Sequence, residues 1–429
     1  MEIKYIKIEG LFSRFNHEIK FIDGVNIIIG DNGVGKTVCL KIIDHLFSSD
    51  FGFLFDLDFR QITISYGKEI WEISKQPLDG RSGLYSYYGS NLSKEFQIQI
   101  CNNLGHLHNV KYEDVRIDLP PFYEKISDTE WIDRRRGIVY EEREILNRPS
   151  VRKETKKLPD WITKRFKSIS VRLIDTQRIY RNESNGRTAE IGRTISKNVK
   201  DIADVISREH SKAGVISAQL DRTFPSRLVN LLSQHPEVTP QDTLNRLTDI
   251  DDLNKALNKV GLTEYKNDSI LKNLQQIDTA ILTVLSLYAD DMKKKLEAYS
   301  DIQGKLQLFL NIINSRFDNK QCVISKENEF KFITYELYGR TKRARELAPT
   351  LLSSGEQNEF VLFYELLFNC SEKNFILIDE PELSLHVKWQ QKMIDDLLSI
   401  CNQNKLNILI ATHSPDLIGN HWSLVQKLE

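Results

Sequence analysis

Cysteine is sparse in this 429-residue chain, and its placement shows no pairing. The five residues, Cys39, Cys101, Cys322, Cys370 and Cys401, are scattered, odd in number and free of the short spacings that hold metals. That argues against a disulfide framework or a zinc module, and a reduced, cytoplasmic protein is expected. Cys101, His106 and His108 fall close together but have no further ligand nearby. Long apolar runs are also missing. None nears the roughly 20 residues needed to cross a bilayer. The opening run MEIKYIKIEG alternates like a strand and does not read as a signal peptide, so no membrane association is expected. Charge of one sign is lacking too. The formal net charge is -1, which excludes a global basic field, so any contact with nucleic acid must come from local patches. There is no internal repeat, no low-complexity segment, and no H-N-H triad or other clustered nuclease constellation.

What is present fits a globular protein of two or three lobes: 40% hydrophobic and 28% charged residues over a length beyond one ordinary domain. The stretch Gly30–Thr37, GDNGVGKT, fits G-x-x-x-x-G-K-[ST]. It follows the β-branched run Val25–Ile29 and precedes a helical pattern with Leu40, Ile43 and Phe47 on one face. Strand, glycine loop and helix are the context such a loop needs, because its backbone N–H groups close around phosphates at a helix N-terminus. Gly30, Asp31, Asn32, Gly33, Val34 and Gly35 are the cradle. Lys36 would reach the β- and γ-phosphates of ATP, and Thr37 would hold Mg²⁺.

Three later segments suit the same chemistry. Phe375–Glu380, FILIDE, is an apolar strand ending in two carboxylates, Asp379 for Mg²⁺ and Glu380 to polarise an attacking water. Leu352–Gln357, LSSGEQ, precedes an amphipathic helix expected from Gly355 to about Asn369, with Ser354 as its N-cap. Its hydroxyls and helix dipole favour a γ-phosphate. Ile408–Pro415, ILIATHSP, delivers His413 to the end of a second buried strand, where an imidazole can sense a γ-phosphate. Gln177, after the strand-like Ser170–Ile174, could contact Mg²⁺ and the water, and could equally be a loop residue.

Around these, residues 1–180 read as strands and loops, with Gln61–Ser74 as two strands about Gly67 and an irregular insertion over about 105–165. Residues 181–317 read as a helical hairpin or bundle: Ile191–Val205, Thr243–Val260, and one long pattern from Ile270 to Phe317. Residues 318–429 return to α/β, beginning with the strand pair Cys322–Ser325 and Phe330–Leu337. The region 130–167 is basic, with Arg134–Arg136, Arg152–Lys157 and Lys164–Lys167 among Trp131, Trp161 and Phe166. It could grip a phosphate backbone, face solvent, or meet an acidic protein.

The order P-loop, LSSGEQ, LIDEPE, ATHS resembles the ABC-type ATPases of the SMC, RecF and OLD-like branch. The resemblance implies an α/β fold: an ABC-type P-loop ATPase head built from both chain ends, with a central helical insertion. It also implies a homodimer that sandwiches ATP. Lys36, Thr37, Gln177, Asp379, Glu380 and His413 would act in cis, and Ser353, Ser354, Gly355 and Glu356 in trans. The chain departs from the family at Leu383–His386, LSLH, where many members carry an aspartate. The EPELSLH and ATHSP wording is most similar to the PtuA-type ATPases of Septu and retron anti-phage systems, which work with a separate HNH nuclease. OLD nucleases carry a C-terminal TOPRIM domain. This chain reaches Glu429 soon after His413, so none is expected here. A RecF-like repair ATPase without a toxic partner is the alternative.

Overall fold

The structure is a computed structural model of the chain. It describes residues 3–49, 53–54, 57–74, 86–88, 91–93, 95–102, 107–113, 115–118, 122–126, 130–141, 152–155, 160–175, 187–234, 238–264, 278–325, 329–338, 341–371, 374–383 and 385–429. The chain forms two compact units. One comprises Met1–Gln177, Glu372–Leu383 and Leu406–Glu429, and the other Arg178–Ser371 and Ser384–Lys405.

The first unit is built on a parallel sheet of five strands in the order Ser170–Asp175, Asn374–Asp379, Asn407–Thr412, Val25–Ile29, Val425–Lys427. NFILID, NILIAT and VNIII are near-continuous apolar runs, as strands covered on both faces must be. The register decides where the site lies. Asp175 stands beside Asp379, Asp379 beside Ala411, and Thr412 beside Ile29. Four strand ends therefore open at one carboxyl edge, where open α/β sheets bind ligands. An antiparallel sheet of six strands accompanies it, with Ile3–Leu11 paired to Phe15–Lys20 and to Gln61–Tyr66. Ile6, Ile8, Ile62 and Ile64 from this sheet join Leu40, Ile43, Leu377 and Leu409 in one buried core.

The α/β expectation with a helical middle is borne out. The strands about Gly67 are Gln61–Tyr66 and Glu69–Ser74. The 105–165 stretch holds more regular structure than its pattern suggests. Leu107–Glu113 extends the antiparallel sheet through Glu95–Asn102, and Tyr123–Lys125, Glu130–Asp133 and Ile138–Glu141 form a small sheet.

In the second unit the middle of the chain is helical: Arg187–Ser233, Pro240–Lys259, Thr279–Glu297 and Ser300–Arg316. The single run expected from Ile270 to Phe317 is two helices, broken at Ala298 and Tyr299; its first residues lie outside the described ones. The strand pair gains a third member, Thr341–Leu347. Among the described residues no helix is long and apolar enough to cross a membrane.

The helix Ser354–Phe368 is held by a buried ionic cluster. Arg316 Nε donates to Glu359 Oε1 at 2.9 Å, its other end donates to Asp396, and its guanidinium lies over the Phe363 ring. Glu359 Oε2 has no partner among the described residues. Burial pushes the Glu359 carboxyl up to about 7, against the Arg316 charge and with help from Asp396 and Glu356. Its ordinary value is 4.5, so between those limits the folded chain binds this proton and the unfolded chain releases it. Stability from this group is therefore greatest below the lower limit and declines as pH rises to about 7. Glu359→Gln removes that slope. The difference in melting temperature between variant and wild type should drift across this window, and a constant difference would contradict it.

Candidate functional site

Buried Val25–Ile28 fixes the strand that delivers the glycine loop. Gly35 sits at φ 95, a backbone shape that favours glycine, and a Cβ there would stand 3.0 Å from Leu11 Cδ2, a tight fit. The helix Lys36–Ser48 that follows has no side-chain cap, which leaves its first N–H groups for an anion. Lys36, only 5% exposed, donates from Nζ to Gly30 O at 2.8 Å and Asp31 O at 3.1 Å, with His413 Nδ1 at 3.3 Å. Burial pulls its ammonium below the ordinary value, and the carboxylates of Glu380, Asp379, Asp31 and Glu382 pull the other way.

The remaining groups are Thr37 on this helix and residues at the ends of the strands Asn374–Asp379 and Asn407–Thr412. Thr37 Oγ1 donates to buried Asp379 Oδ1 at 3.2 Å. Glu380 stands in the left-handed region at φ 46, held by its N–H to Ala411 O at 2.8 Å. This is a strained position for a side chain larger than glycine, and it turns the chain sharply out of the sheet. His413 Nε2 lies 3.6 Å from Glu380 Oε1. The structure thus brings together Gly30, Lys36, Thr37, Asp379, Glu380 and His413, with Asp31, Asn32, Gly33, Val34 and Gly35 in the loop between. An ammonium, an uncapped helix start and two hard oxygen donors can together hold a phosphate chain and a divalent cation. Glu380 beside them can accept a proton.

Three contributors were not read from the sequence. Glu382 accepts from Thr412 Oγ1 and from His413 N. His17, on the strand Phe15–Lys20 and with its pKa lowered by burial, contacts Val34 O in the loop at 2.8 Å. Phe12, at φ 52 and 43% exposed, lies against Gly35. Only Glu382 sat in a motif already quoted; the other two are isolated in sequence and gave no signal.

Leu352–Gln357 belongs to the second unit. The N-cap of its helix is Ser353, which corrects the expectation of Ser354. Ser353 Oγ accepts from Glu356 N, and Glu356 Oε2 accepts from Ser353 N at 2.7 Å. This reciprocal box needs two residues between its partners, the spacing of Ser353 and Glu356; Ser354 stands at the same spacing from Gln357, but that side chain donates to Leu352 O and Pro349 O instead. Lys320 Nζ donates to both Glu356 oxygens, at 3.0 and 2.7 Å, and so neutralises an anion beside the helix start. Ser354 and Gly355 occupy the first turn. In the departing LSLH segment, His386 caps the helix Val387–Asn404, its Nδ1 accepting from Lys388 N. Gln177 lies outside the described residues.

The basic region 130–167 is partly committed to its own fold. Arg134 pairs with Glu124, and Arg135 pairs with Asp133 and lies over the Phe122 ring. Among the described residues no cluster of His, Cys, Asp and Glu could hold a metal by itself.

A family model described as an AAA ATPase domain matches residues 1–418. Over 47 residues the chain is 45% identical to the Septu protein PtuA of Bacillus thuringiensis, covering 11% of this chain and 12% of that one. Over 104 residues it is 26% identical to the Probable ABC transporter ATP-binding protein PEB1C of Campylobacter jejuni, covering 24% and 40%. The chain therefore spans less than half the length of each curated relative. Among solved structures, the Smc head domain with an extended coiled coil, bound to the C-terminal domain of ScpA from Pyrococcus furiosus, is similar over 97% of this chain and 90% of that one. Its identity is 12% and its TM-score 0.34.

Proposed function

This chain belongs to the AAA ATPase domain family, and on that premise we propose that it binds and hydrolyses ATP with Mg²⁺ and closes into a homodimer around the nucleotide. The observation that carries the reading is the convergence at one sheet edge of Lys36, the Thr37–Asp379 pair, Glu380 and His413. Thr37 Oγ1 and Asp379 Oδ1, 3.2 Å apart, suit a small oxygen-seeking cation. When bound, Mg²⁺ supplies charge neutralisation at the β- and γ-phosphates. The chain's own residues do the rest. Lys36 exchanges its two loop carbonyls for phosphate oxygens. Glu380 orients a water and accepts its proton. His413, between Lys36 and Glu380, contacts the γ-phosphate and loses that contact on hydrolysis. Ser353, Ser354, Gly355 and Glu356 meet the γ-phosphate of a second copy, and Gln177 contacts the cation and the water. ATP then favours the closed dimer and ADP the open one, a two-state switch set by differential contacts.

The switch controls a separate HNH-type nuclease in anti-phage defence, with 130–167 as a contact for nucleic acid. The 47-residue likeness to a Septu protein and the EPELSLH and ATHSP runs support this reading. Purified chain should hydrolyse ATP and leave DNA and RNA intact, and pull-down from its host should recover an HNH protein. Cleavage by the chain alone would defeat the partner reading. Recovery of recombination factors without a nuclease would favour a RecF-like role.

A further inference from the structure

The turn after Asn374–Asp379 is tied to the end of the next strand by more than the sheet ladder. Thr412 Oγ1 donates to Glu382 Oε1 at 2.6 Å, and His413 N–H donates to the same oxygen at 2.9 Å. Ser414 N–H donates to Thr412 Oγ1 at 2.9 Å, so the hydroxyl is held from both sides. Thr412 is fully buried. Its hydroxyl proton has no solvent alternative, and bonds to an ionised acceptor are among the strong ones. The two strands do not need this carboxylate to pair, because five residue pairs from Phe375–Asn407 to Asp379–Ala411 already join them. What the carboxylate adds is a fixed main chain at Thr412 and His413. From that main chain the imidazole spans the site, with Nδ1 3.3 Å from Lys36 Nζ and Nε2 3.6 Å from Glu380 Oε1.

We propose that Glu382 is a positioning residue of this site. Its carboxylate clamps Thr412 and His413 so that the imidazole stays between Lys36 and Glu380. Its effect on turnover runs through His413, and its charge reaches Lys36 only as the smallest contribution of the four carboxylates there. The inference rests on the ATPase reading above and adds to it a residue outside the nucleotide's own contacts.

A double-mutant cycle in the full chain tests it. Glu382→Ala should lower kcat for ATP hydrolysis about 10- to 100-fold and move KM less than about threefold, because it misplaces the imidazole and leaves in place the Lys36 ammonium that would hold the phosphates. Glu382→Gln keeps an acceptor oxygen and should recover most of that loss. His413→Ala with Glu382→Ala should be no slower than His413→Ala alone, since a residue acting only through another has nothing further to lose. Multiplying losses in the double variant, or a rise in KM matching the fall in kcat, would overturn the proposal. Where Glu382→Ala does not fold, Thr412→Val replaces it in the cycle, with Thr412→Ser as its conservative control. A second readout does not depend on turnover: in chain labelled at histidine, the ring signals missing from His413→Ala are those of His413, and Glu382→Ala should shift them. Unshifted signals would overturn the proposal. Shifted signals in a chain whose wild type releases no phosphate would count against ATP hydrolysis and leave the clamp standing.

Discussion

Glu380→Gln should bind ATP and fail to turn it over, lowering kcat by about 10²- to 10⁴-fold, the range set by losing a general base. Glutamine has the shape of glutamate, so the left-handed turn at φ 46 and the N–H to Ala411 O are kept. Only the proton acceptor goes. With hydrolysis blocked, ATP has no route to ADP at the site, and the closed state accumulates. In size-exclusion chromatography with light scattering, this variant with ATP and Mg²⁺ should run at twice its mass without nucleotide. A variant that binds ATP and stays at the unliganded mass would remove the dimer from the proposal. One that still releases phosphate at the wild-type rate would remove Glu380 from the chemistry.

Lys36→Ala should abolish binding itself. Its ammonium is nearly buried and aimed at the loop carbonyls of Gly30 and Asp31, where phosphate oxygens would replace them. Two charge-assisted hydrogen bonds of roughly 1.5–3 kcal/mol each predict a fall in affinity of about 100-fold or more. The fold should not suffer. Burial already holds this ammonium below its ordinary pKa, and deleting a cation that is costly to desolvate leaves the unliganded chain as stable or more so. Titration with a fluorescent ATP analogue, beside a melting curve, separates the two effects. Retained affinity, or lost affinity together with a collapsed melting temperature, would contradict this assignment.

Much of the parallel sheet and of its edge was legible because the information is local. VNIII, FILID and NILIA read as doubly covered strands, and each motif hangs directly from the end of one. The N-cap falls on Ser353 rather than the expected Ser354 because two serines stand side by side, each three residues before a Glu or Gln, and only the Glu356 side chain folds back onto its serine's N–H. Thr341–Leu347, TKRAREL, was not read as a strand because it carries its charges on a sheet edge, where solvation replaces periodic burial. The break at Ala298 and Tyr299 was hidden because apolar spacing continues across it. The part of the site least legible was its support. Glu382, His17 and Phe12 act through pairings between distant segments, and a pattern along one segment does not encode a partner on another.

The central claim is that Lys36, Thr37, Asp379, Glu380 and His413 form one ATP-hydrolysing site. Single-turnover phosphate release tests it most directly, with purified chain in excess over radiolabelled ATP, Mg²⁺ present, and wild type compared with Glu380→Gln at matched nucleotide occupancy. Release by wild type and none on the same timescale by Glu380→Gln is the predicted result. No release by wild type at full occupancy, or equal release by both, would contradict it.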